Sequence, residues 1–353
     1  MIILGIETSC DETAAAIVKD GHELISSVVF SSIDKHILYG GVVPEIAARS
    51  HIEAIIPVIS QAFSEAKLDW SDVDGIAVTY GAGLSGSLLI GVEAAKTLAI
   101  TKNKPLWAIN HVEGHVYANF ITKTKLAGYQ LVSAQPKFPM LTLIVSGGHS
   151  QLALFSDHFK YKLLGQTQDD AIGEAFDKVA KVLGLDYPGG PSIARAAVGG
   201  KPDEYKLPKA RMPNKYDFSF SGLKTAALRT AQALIGEDYN FPSFKIASRL
   251  TKQQVANLAA SFQKTAIETV VDKTSQAYQE FQPKSVVIAG GVAASNELRS
   301  QLSDRLTLDI DYPDPKLCTD NGAMVAALGC FKASARQTAA DPYRLSIAPN
   351  LSM

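Results

Sequence analysis

The sequence of 353 residues predicts an α/β protein made of two similar lobes. The main observation is a repeated pattern, in which an apolar strand enters a polar turn and leaves through a second strand. It occurs at 2–18 around the turn Thr8–Thr13, and again at 141–155 around the turn Ser146–Ser150. Such turns are typical of β-hairpins. The length supports the same interpretation, because one core seldom accommodates so long a chain. Two unrelated hairpins are the alternative.

Hydrophobic periodicity predicts the remaining elements in chain order. In the first half we expect helices over 45–63 and 87–100 and buried strands over 73–78 and 105–109. In the second half we expect an amphipathic helix over 169–183 ending at Gly184, a rigid loop at Tyr187–Pro191, a long helix over 248–280 and a strand over 285–289. An alanine-rich helix follows Gly322, with Thr319 or Asp320 as its expected N-cap.

Composition excludes several classes of protein. The formal charge is -1, with 20% charged and 46% hydrophobic residues, which describes an ordinary globular chain rather than a disordered tail or a polybasic nucleic-acid coat. The three cysteines form no CxxC pair, so we expect a reducing compartment, the cytoplasm. No signal peptide is evident at the N-terminus and no apolar stretch is long enough for a membrane span, so we expect neither export nor membrane insertion.

The segment His111-Val-Glu-Gly-His115 is the most informative motif. Two imidazoles four positions apart lie on the same face of a helix, and neutral imidazole suits zinc, iron, copper or nickel. Glu113 does not directly follow the first histidine, so the order differs from the H-E-x-x-H of zinc peptidases. The pair therefore indicates one transition-metal ion, with two histidines that bind nothing as the alternative.

Glycine-rich turns offer further binding positions. Gly81–Gly86 satisfies G-x-G-x-x-G, but no acidic residue follows at the distance a ribose contact requires, so close helix packing explains these glycines better. Gly290-Gly291 follows the strand predicted at 285–289, where a flat ligand can approach the backbone.

Lysines and arginine alternate with aromatic residues between Lys201 and Lys224. The aromatic residues are Tyr205, Tyr216, Phe218 and Phe220. This mixture is a modest sign of nucleic-acid contact. A solvated insertion explains it equally well.

Seven segments together resemble the tRNA N6-adenosine threonylcarbamoyltransferase family (TsaD), within the actin, heat-shock chaperone and sugar-kinase (ASKHA) superfamily. They occur in the family order across nearly the whole chain: Glu7–Thr13, His111–His115, Val145–His149, Phe176–Lys178, Tyr187–Pro191, Asp217–Lys224 and Cys318–Gly322. The resemblance implies two duplicated actin-like lobes with mixed central sheets flanked by helices and an active-site cleft between them. We expect the N-terminal lobe at 1–120 plus 322–353 and the C-terminal lobe at 121–321, with a basic and aromatic insertion around 200–245.

The resemblance also implies an activity and its residues. The family transfers a threonylcarbamoyl group from threonylcarbamoyl-AMP to the N6 amine of the adenosine 3′ to the anticodon in tRNAs that read ANN codons, and releases AMP. His111, His115 and Asp320 are then expected to bind one divalent metal ion per chain, Fe2+ in the bacterial family with Zn2+ as an in vitro substitute. Asp11 is the expected catalytic or positioning carboxylate. The expected substrate-binding residues are Ile144, Val145, Ser146, Gly147, Gly148, Asp177 and Gly190.

The partners implied are tRNA, a paralogous TsaB-like subunit that forms a heterodimer through the helices near Glu45 and after Gly86, and a small TsaE-like ATPase. A few positions depart from the family pattern. Ala82 replaces a proline, Ser150 a threonine and Ala194 an aspartate that contacts ribose in many members. Ser295 stands where an adenine-contacting asparagine is usual, and Asn296 follows it.

Three other functions are compatible with parts of the pattern. A metallopeptidase needs a metal-bound water and a general base, and Glu113 is misplaced for that role. A sugar kinase or ATPase is allowed by the expected fold, because a fold does not fix a function. A scaffold without catalytic activity has no need of the ligand set His111, His115 and Asp320.

Overall fold

A computed structural model describes residues 1–308, 310 and 312–353 of the chain. The chain forms two compact units, Met1–Pro136 with Asp311–Met353 and Lys137–Ile310. This division differs from the predicted lobes at 121–136 and 311–321, which belong to the first unit. Lys123–Thr124 pair with a strand of that unit, and the Asp314 carboxylate accepts a hydrogen bond from the Gln130 amide at 2.6 Å.

The chain is an α/β fold with two sheets, which confirms the predicted fold class. The strands are β1 (Ile2–Glu7), β2 (Glu12–Lys19), β3 (Glu23–Ser31), β4 (Gly75–Gly81), β5 (Leu106–Asn110), β6 (Lys123–Thr124), β7 (Met140–Val145), β8 (Ser150–Asp157), β9 (Lys160–Gln166) and β10 (Ser285–Ala289). The helices are α1 (Ile33–Ile37), α2 (Pro44–Ala66), α3 (Ser85–Lys102), α4 (His111–Tyr117), α5 (Ile172–Val182), α6 (Gly189–Ala197), α7 (Ser221–Leu234), α8 (Lys252–Phe281), α9 (Asn296–Arg305), α10 (Pro315–Cys318) and α11 (Gly322–Ser334).

The sheet of the first unit has the order β5-β4-β1-β2-β3-β6 and is buried on both faces. Leu4 and Ile6 belong to a core that includes apolar residues of α2 and α3. Gly5 points to the other face, where a Cβ atom would lie 2.2 Å from the Gly322 carbonyl oxygen at the start of α11. Alternate residues of a strand face opposite sides, so β1 is apolar from Ile2 to Ile6 and ends in the buried carboxylate of Glu7.

The sheet of the second unit repeats this arrangement with the order β10-β7-β8-β9. In each unit an antiparallel meander of three strands is joined by a later strand that runs parallel to the first, β4 beside β1 and β10 beside β7. The predicted duplication is therefore confirmed.

Two local predictions were wrong. The loop expected at Tyr187–Pro191 is already helical from Gly189, because Pro191 occupies the first turn, where a missing N–H removes no helical hydrogen bond. The N-cap of α11 is Asn321, not Thr319 or Asp320, since its side chain accepts a hydrogen bond from the Met324 amide at 2.9 Å. None of the described helices is both long and apolar enough to cross a membrane.

Candidate functional site

Helix α4 presents the two histidines from one face, as the spacing predicts. Its N-cap is Asn110, whose side-chain oxygen accepts hydrogen bonds from the amides of Val112 at 2.8 Å and Glu113 at 3.3 Å. The rings of His111 and His115 are 4.7 Å apart between centroids, and both side chains are buried. The cap fixes where the helix begins and therefore where both rings lie.

Asp320 completes a group of three possible metal ligands. Its Oδ1 lies 3.5 Å from His111 Nε2 and 3.2 Å from His115 Nε2. One ligand atom from each residue lies within 4.8 Å of the others. Asp320 directly precedes the Asn321 cap of α11, and α11 packs on α4. Glu113 is not part of this group, which agrees with the prediction that the motif differs from a peptidase site.

The environment of His115 suits a metal ion. Its side chain is almost fully buried, and Nδ1 has no hydrogen-bond partner among the described residues, while Nε2 faces the Asp320 carboxylate. A buried polar atom without a partner is costly, by about 1–3 kcal/mol. Two imidazole nitrogens and one carboxylate oxygen form a donor set that accepts iron or zinc. The residues present therefore fit a divalent transition metal.

Glu7 and Ser9 orient the ring of His111 from its other side. His111 Nδ1 lies 3.1 Å from Ser9 Oγ and 3.3 Å from Glu7 Oε2. Glu7 is itself fixed, since it accepts hydrogen bonds from the Ser9 amide and from Thr79 Oγ1, both at 2.5 Å. A contact on Nδ1 directs Nε2 toward Asp320, as outer residues of metal sites do. Sequence reasoning missed this role, although both residues belong to the polar turn after β1.

Carboxylates crowd this part of the first unit. Burial lowers the pKa of His111, but the charges of Asp320 and Glu7 outweigh it and raise the pKa to about 9. Burial, together with the charges of Asp320 and Asp11, raises the pKa of Glu12 to about 10. Metal binding requires neutral imidazole, so an ion displaces the proton that these carboxylates otherwise retain on His111.

A buried histidine and a buried serine support the turn that carries Asp11. His51 Nε2 lies 3.0 Å from the Cys10 carbonyl oxygen and therefore donates, while Nδ1 accepts from Thr13 Oγ1 at 2.8 Å. Burial lowers the pKa of His51, which favours this neutral form. On the other side, Ser32 Oγ donates to the Asp11 carbonyl oxygen at 2.9 Å. Asp11 is thus held in a buried, hydrogen-bonded turn.

The predicted substrate loop lies in the second unit, between β7 and β8. Its start is fixed by Ser146, whose amide donates to the His149 carbonyl oxygen at 2.9 Å and whose hydroxyl accepts from the His149 amide at 3.1 Å. Gly147 and Gly148 are exposed, and a Cβ atom on either would meet nothing within 4 Å. Ile144 and Val145 are buried strand residues, so they supply backbone rather than side chains to this loop.

Asp177 and Gly190 belong to the same part of the second unit. The Gly173 amide donates to the Ser146 carbonyl oxygen at 3.2 Å, which attaches the start of α5 to the loop. Asp177 follows one turn later, and its Oδ1 accepts from the Gly189 amide at 2.7 Å, next to Gly190. Burial raises the pKa of Asp177. The structure thus groups the predicted substrate-binding residues, while Asp11 and the three possible metal ligands lie in the first unit.

The Gly-Gly turn also adjoins this loop. Ala289 pairs with Ile144 in parallel strands, and Gly290 adopts φ +89°, where a Cβ atom would lie 2.5 Å from the Val145 carbonyl oxygen. Ser295 is the N-cap of α9, accepting from the Leu298 amide at 3.4 Å, and the next residue, Asn296, is exposed. Ala194 is exposed as well.

Of the three glycines in Gly81–Gly86, only Gly86 is explained by close packing of helices. A Cβ atom on Gly86 would contact Ala48 of α2 at 3.1 Å. In contrast, a Cβ on Gly81 would lie 2.0 Å from the Ala348 carbonyl oxygen in the C-terminal segment, and one on Gly83 would lie 2.6 Å from the Ser9 carbonyl oxygen. Those two glycines permit close approach of other backbone segments, so the predicted reason was wrong for them.

The segment from Lys201 to Lys224 offers fewer rings and charges to a nucleic acid than the pattern suggested. Of its four aromatic residues, three are buried and Tyr205 is half-buried. Four of its lysines form ion pairs, including Lys209 with Asp272 and Lys224 with Asp170, both at 2.6 Å, whereas Lys206 and Arg211 are exposed. Buried rings cannot stack on bases, and paired lysines attract phosphate weakly.

Comparison with known proteins identifies clear relatives. The profile of the family described as tRNA N6-adenosine threonylcarbamoyltransferase matches residues 23–327. A protein of that name from Thermomicrobium roseum is 48% identical over 340 residues, covering 94% of this chain and 92% of its own. Another, from Caldicellulosiruptor saccharolyticus, is 47% identical over 356 residues, covering 100% and 98%. A solved structure, the (R)-2-hydroxyglutaryl-CoA dehydratase component A from Acidaminococcus fermentans, matches with a TM-score of 0.48 and 15% identity over 95% of this chain and 99% of that one.

Proposed function

This chain belongs to the tRNA N6-adenosine threonylcarbamoyltransferase family, and on that basis we propose that it catalyses the reaction for which the family is named. The threonylcarbamoyl group passes from threonylcarbamoyl-AMP to N6 of the adenosine 3′ to the anticodon in tRNAs reading ANN codons, and AMP leaves. The grouping of His111, His115 and Asp320, with His115 buried, carries this proposal, because these residues lie in the family's own motifs.

We assign one divalent metal ion to His111, His115 and Asp320, with Fe2+ as the expected ion and Zn2+ as a substitute in vitro. When bound, such an ion supplies an electrophile that polarises an oxygen of the activated acyl group. Glu7 and Ser9 hold the His111 ring in the orientation this role requires. The threonylcarbamoyl group is already activated as a mixed anhydride, so orientation matters more than a covalent nucleophile.

The nucleotide part of the donor is assigned to the second unit. Exposed backbone at Gly147 and Gly148, beside Ser146, suits the close approach of a phosphate to amide groups. One carboxylate oxygen of Asp177 accepts from Gly189, and the other is assigned to a ribose hydroxyl beside Gly190. Ile144 and Val145 position the start of the loop.

Asp11 is assigned to proton transfer. The N6 nitrogen of adenosine attacks the carbamoyl carbon, a C–N bond forms, and the bond from that carbon to the AMP oxygen breaks with its electron pair on AMP. The nitrogen loses a proton in this step, and we assign its acceptance to the Asp11 carboxylate. The contacts of His51 and Ser32 with the surrounding turn fix the position of Asp11.

An exposed apolar surface of the first unit suits one of the expected protein partners. Helices α2 and α3 expose Ile52, Ile56 and Leu89, at 61%, 61% and 46% of their accessible area. Exposed apolar side chains on neighbouring helices are typical of protein interfaces, and we assign these to the TsaB-like paralogue. A TsaE-like ATPase is the further expected partner. With tRNA as substrate, the expected location is the cytoplasm.

The test is nucleoside analysis of tRNA from a strain depleted of this protein. Threonylcarbamoyladenosine, measured by mass spectrometry, is expected to disappear on depletion and to return with the wild-type gene. His111→Ala is expected not to restore it. Glu113→Gln, on the same helix but outside the ligand group, serves as the matched control and is expected to restore it. An unchanged level of the nucleoside on depletion would contradict the proposal.

A further inference from the structure

The segment after α7 exposes aromatic rings among positive charges. Tyr239 and Phe244 are 69% and 79% exposed, although rings of this size are usually covered. Between 239 and 252 the sequence carries Lys245, Arg249 and Lys252 and no acidic residue, in a chain whose formal charge is -1. Exposed rings and a local positive charge therefore coincide in this segment.

Each ring of the segment is accompanied by a cation. The Arg249 guanidinium lies 4.6 Å from the centroid of Phe241, and the Arg229 guanidinium lies 5.5 Å from that of Tyr239. Lys245 Nζ lies 5.7 Å from the Phe244 centroid. Arg249 also pairs with Glu237, whereas Lys245 has no acidic partner among the described residues. Arg249 contacts Glu237 through Nη1, and because a guanidinium has five N–H donors, others remain for a phosphate oxygen.

The segment is anchored rather than loose. Ile246 is fully buried, and Gln232 Nε2 of α7 donates to the Phe241 carbonyl oxygen at 2.9 Å. Ala247 packs at the end of α5, where a Cβ atom on Gly184 would lie 2.6 Å from the Ala247 methyl group. Helix α5 also carries Asp177, which we assign to the nucleotide. The segment that carries the exposed rings therefore packs against the end of the helix that carries a proposed substrate residue.

We propose that Tyr239, Phe244, Lys245 and Arg249 form a surface that binds unpaired nucleotides of the tRNA substrate, outside the adenosine that is modified. Proteins that bind single-stranded RNA stack bases on exposed rings and hold phosphates with nearby cations. This inference rests on the proposed function, and it places RNA contact beyond the segment Lys201–Lys224.

The observations favour RNA over a protein partner. The cores of protein interfaces are enriched in aromatic residues and arginine but depleted of lysine. Here Lys245 adjoins the most exposed ring, and no position from Tyr239 to Lys252 carries negative charge, although Glu237 and Asp238 precede them. The charge is complementary to phosphate.

Binding of unmodified tRNA to the full-length protein, by fluorescence anisotropy, tests the surface. Phe244→Ala is expected to raise the Kd about 5-fold to 100-fold, the effect of losing one stacked base. Lys245→Ala is expected to weaken binding and to lower its salt dependence by about one counterion. Tyr343→Ala, an aromatic of 76% exposure in the first unit, is the matched control and is expected to bind like the wild type. Phe244→Trp is expected to retain binding.

Circular dichroism verifies that each variant is folded. If Phe244→Ala and Lys245→Ala both bound tRNA with the Kd and salt dependence of the wild type, the proposed RNA-binding surface would be refuted. Loss of binding to a protein partner, with tRNA binding unchanged, would refute it as well. These outcomes are separable from failure of the proposed function. If the proposed function is wrong, the wild type itself forms no threonylcarbamoyladenosine. If the wild type is active and the variants bind tRNA normally, only the proposed surface is refuted.

Discussion

Two turns occupy equivalent places in the two units, one between β1 and β2 and the other between β7 and β8. They differ in whether they present buried side chains or exposed backbone. The first turn is filled with buried side chains, including Glu7, Ser9 and Asp11. The second turn ends in Gly147 and Gly148, which are exposed and have open space beside them. The same strand arrangement thus supports a turn rich in carboxylates and a turn that presents bare backbone.

The comparison shows how one strand arrangement can present two different sets of groups to a ligand. Carboxylates and imidazoles can hold a cation, and their buried hydrogen bonds fix them before any ligand binds. Exposed glycine backbone instead offers amides to a phosphate and lets a flat ligand approach. The difference lies in side chains, since β4-β1-β2-β3 of the six-stranded sheet pair in the same way as β10-β7-β8-β9 of the four-stranded sheet.

The largest expected effect separates the two units by metal content. His115→Ala, in the first unit, is expected to lower metal affinity about 100-fold or more, because it removes a ligand. Asp177→Asn, in the second unit, is expected to keep its metal and to raise KM for threonylcarbamoyl-AMP about tenfold, since a charged hydrogen bond to ribose is weakened. Metal analysis of the purified proteins and donor titration measure the two effects. Equal metal content in both variants would break the assignment.

The next effect concerns the glycines around the open turn. Gly173→Ala is expected to lower stability by about 1–3 kcal/mol, because its Cβ would lie 2.6 Å from the Ser146 carbonyl oxygen. Gly147→Ala is expected to change stability by less than about 0.5 kcal/mol, because its Cβ meets nothing within 4 Å. Thermal unfolding compares the variants, and a Tm loss of about 2–10 °C is expected for Gly173→Ala alone. The same Tm in both would show that the loop and α5 are not closely packed.

The smallest effect concerns the support of the filled turn. Burial lowers the pKa of His51 below its usual 6.5, so the unfolded chain binds more protons in the window between these values. The free energy of unfolding therefore rises as the pH increases through this window, and the contribution of His51 is lost as the pH falls. His51→Gln, which can donate to Cys10 and accept from Thr13, is expected to cost at most about 1.5 kcal/mol at pH 7.5. Urea midpoints of the two proteins should converge at pH 5.5, and a constant difference would contradict a neutral His51.

Several parts of the fold were predictable because they depend on local pattern. Strand periodicity and polar turns gave both hairpins, and the spacing of His111 and His115 placed both rings on one helix face. The start of α6 could not be predicted, because the pair Gly189-Gly190 is typical of a turn. A helix nevertheless accommodates Pro191 in its first turn. The exposure of Tyr239 and Phe244 could not be predicted, since nothing in the sequence pattern distinguishes them from the buried Phe218 and Phe220.

The sequence by itself determined the α/β class, the duplication and the presence of a histidine pair, because each depends on residues close together in the chain. The family resemblance predicted Asp320 beside that pair, but tertiary structure alone decided that Glu7 and Ser9 meet it. Asp320 reaches it by the packing of α11 on α4, and Glu7 and Ser9 reach it because β1 ends beside α4. Residues far apart in the chain come together through burial of helices against a sheet, and no local pattern encodes that distance.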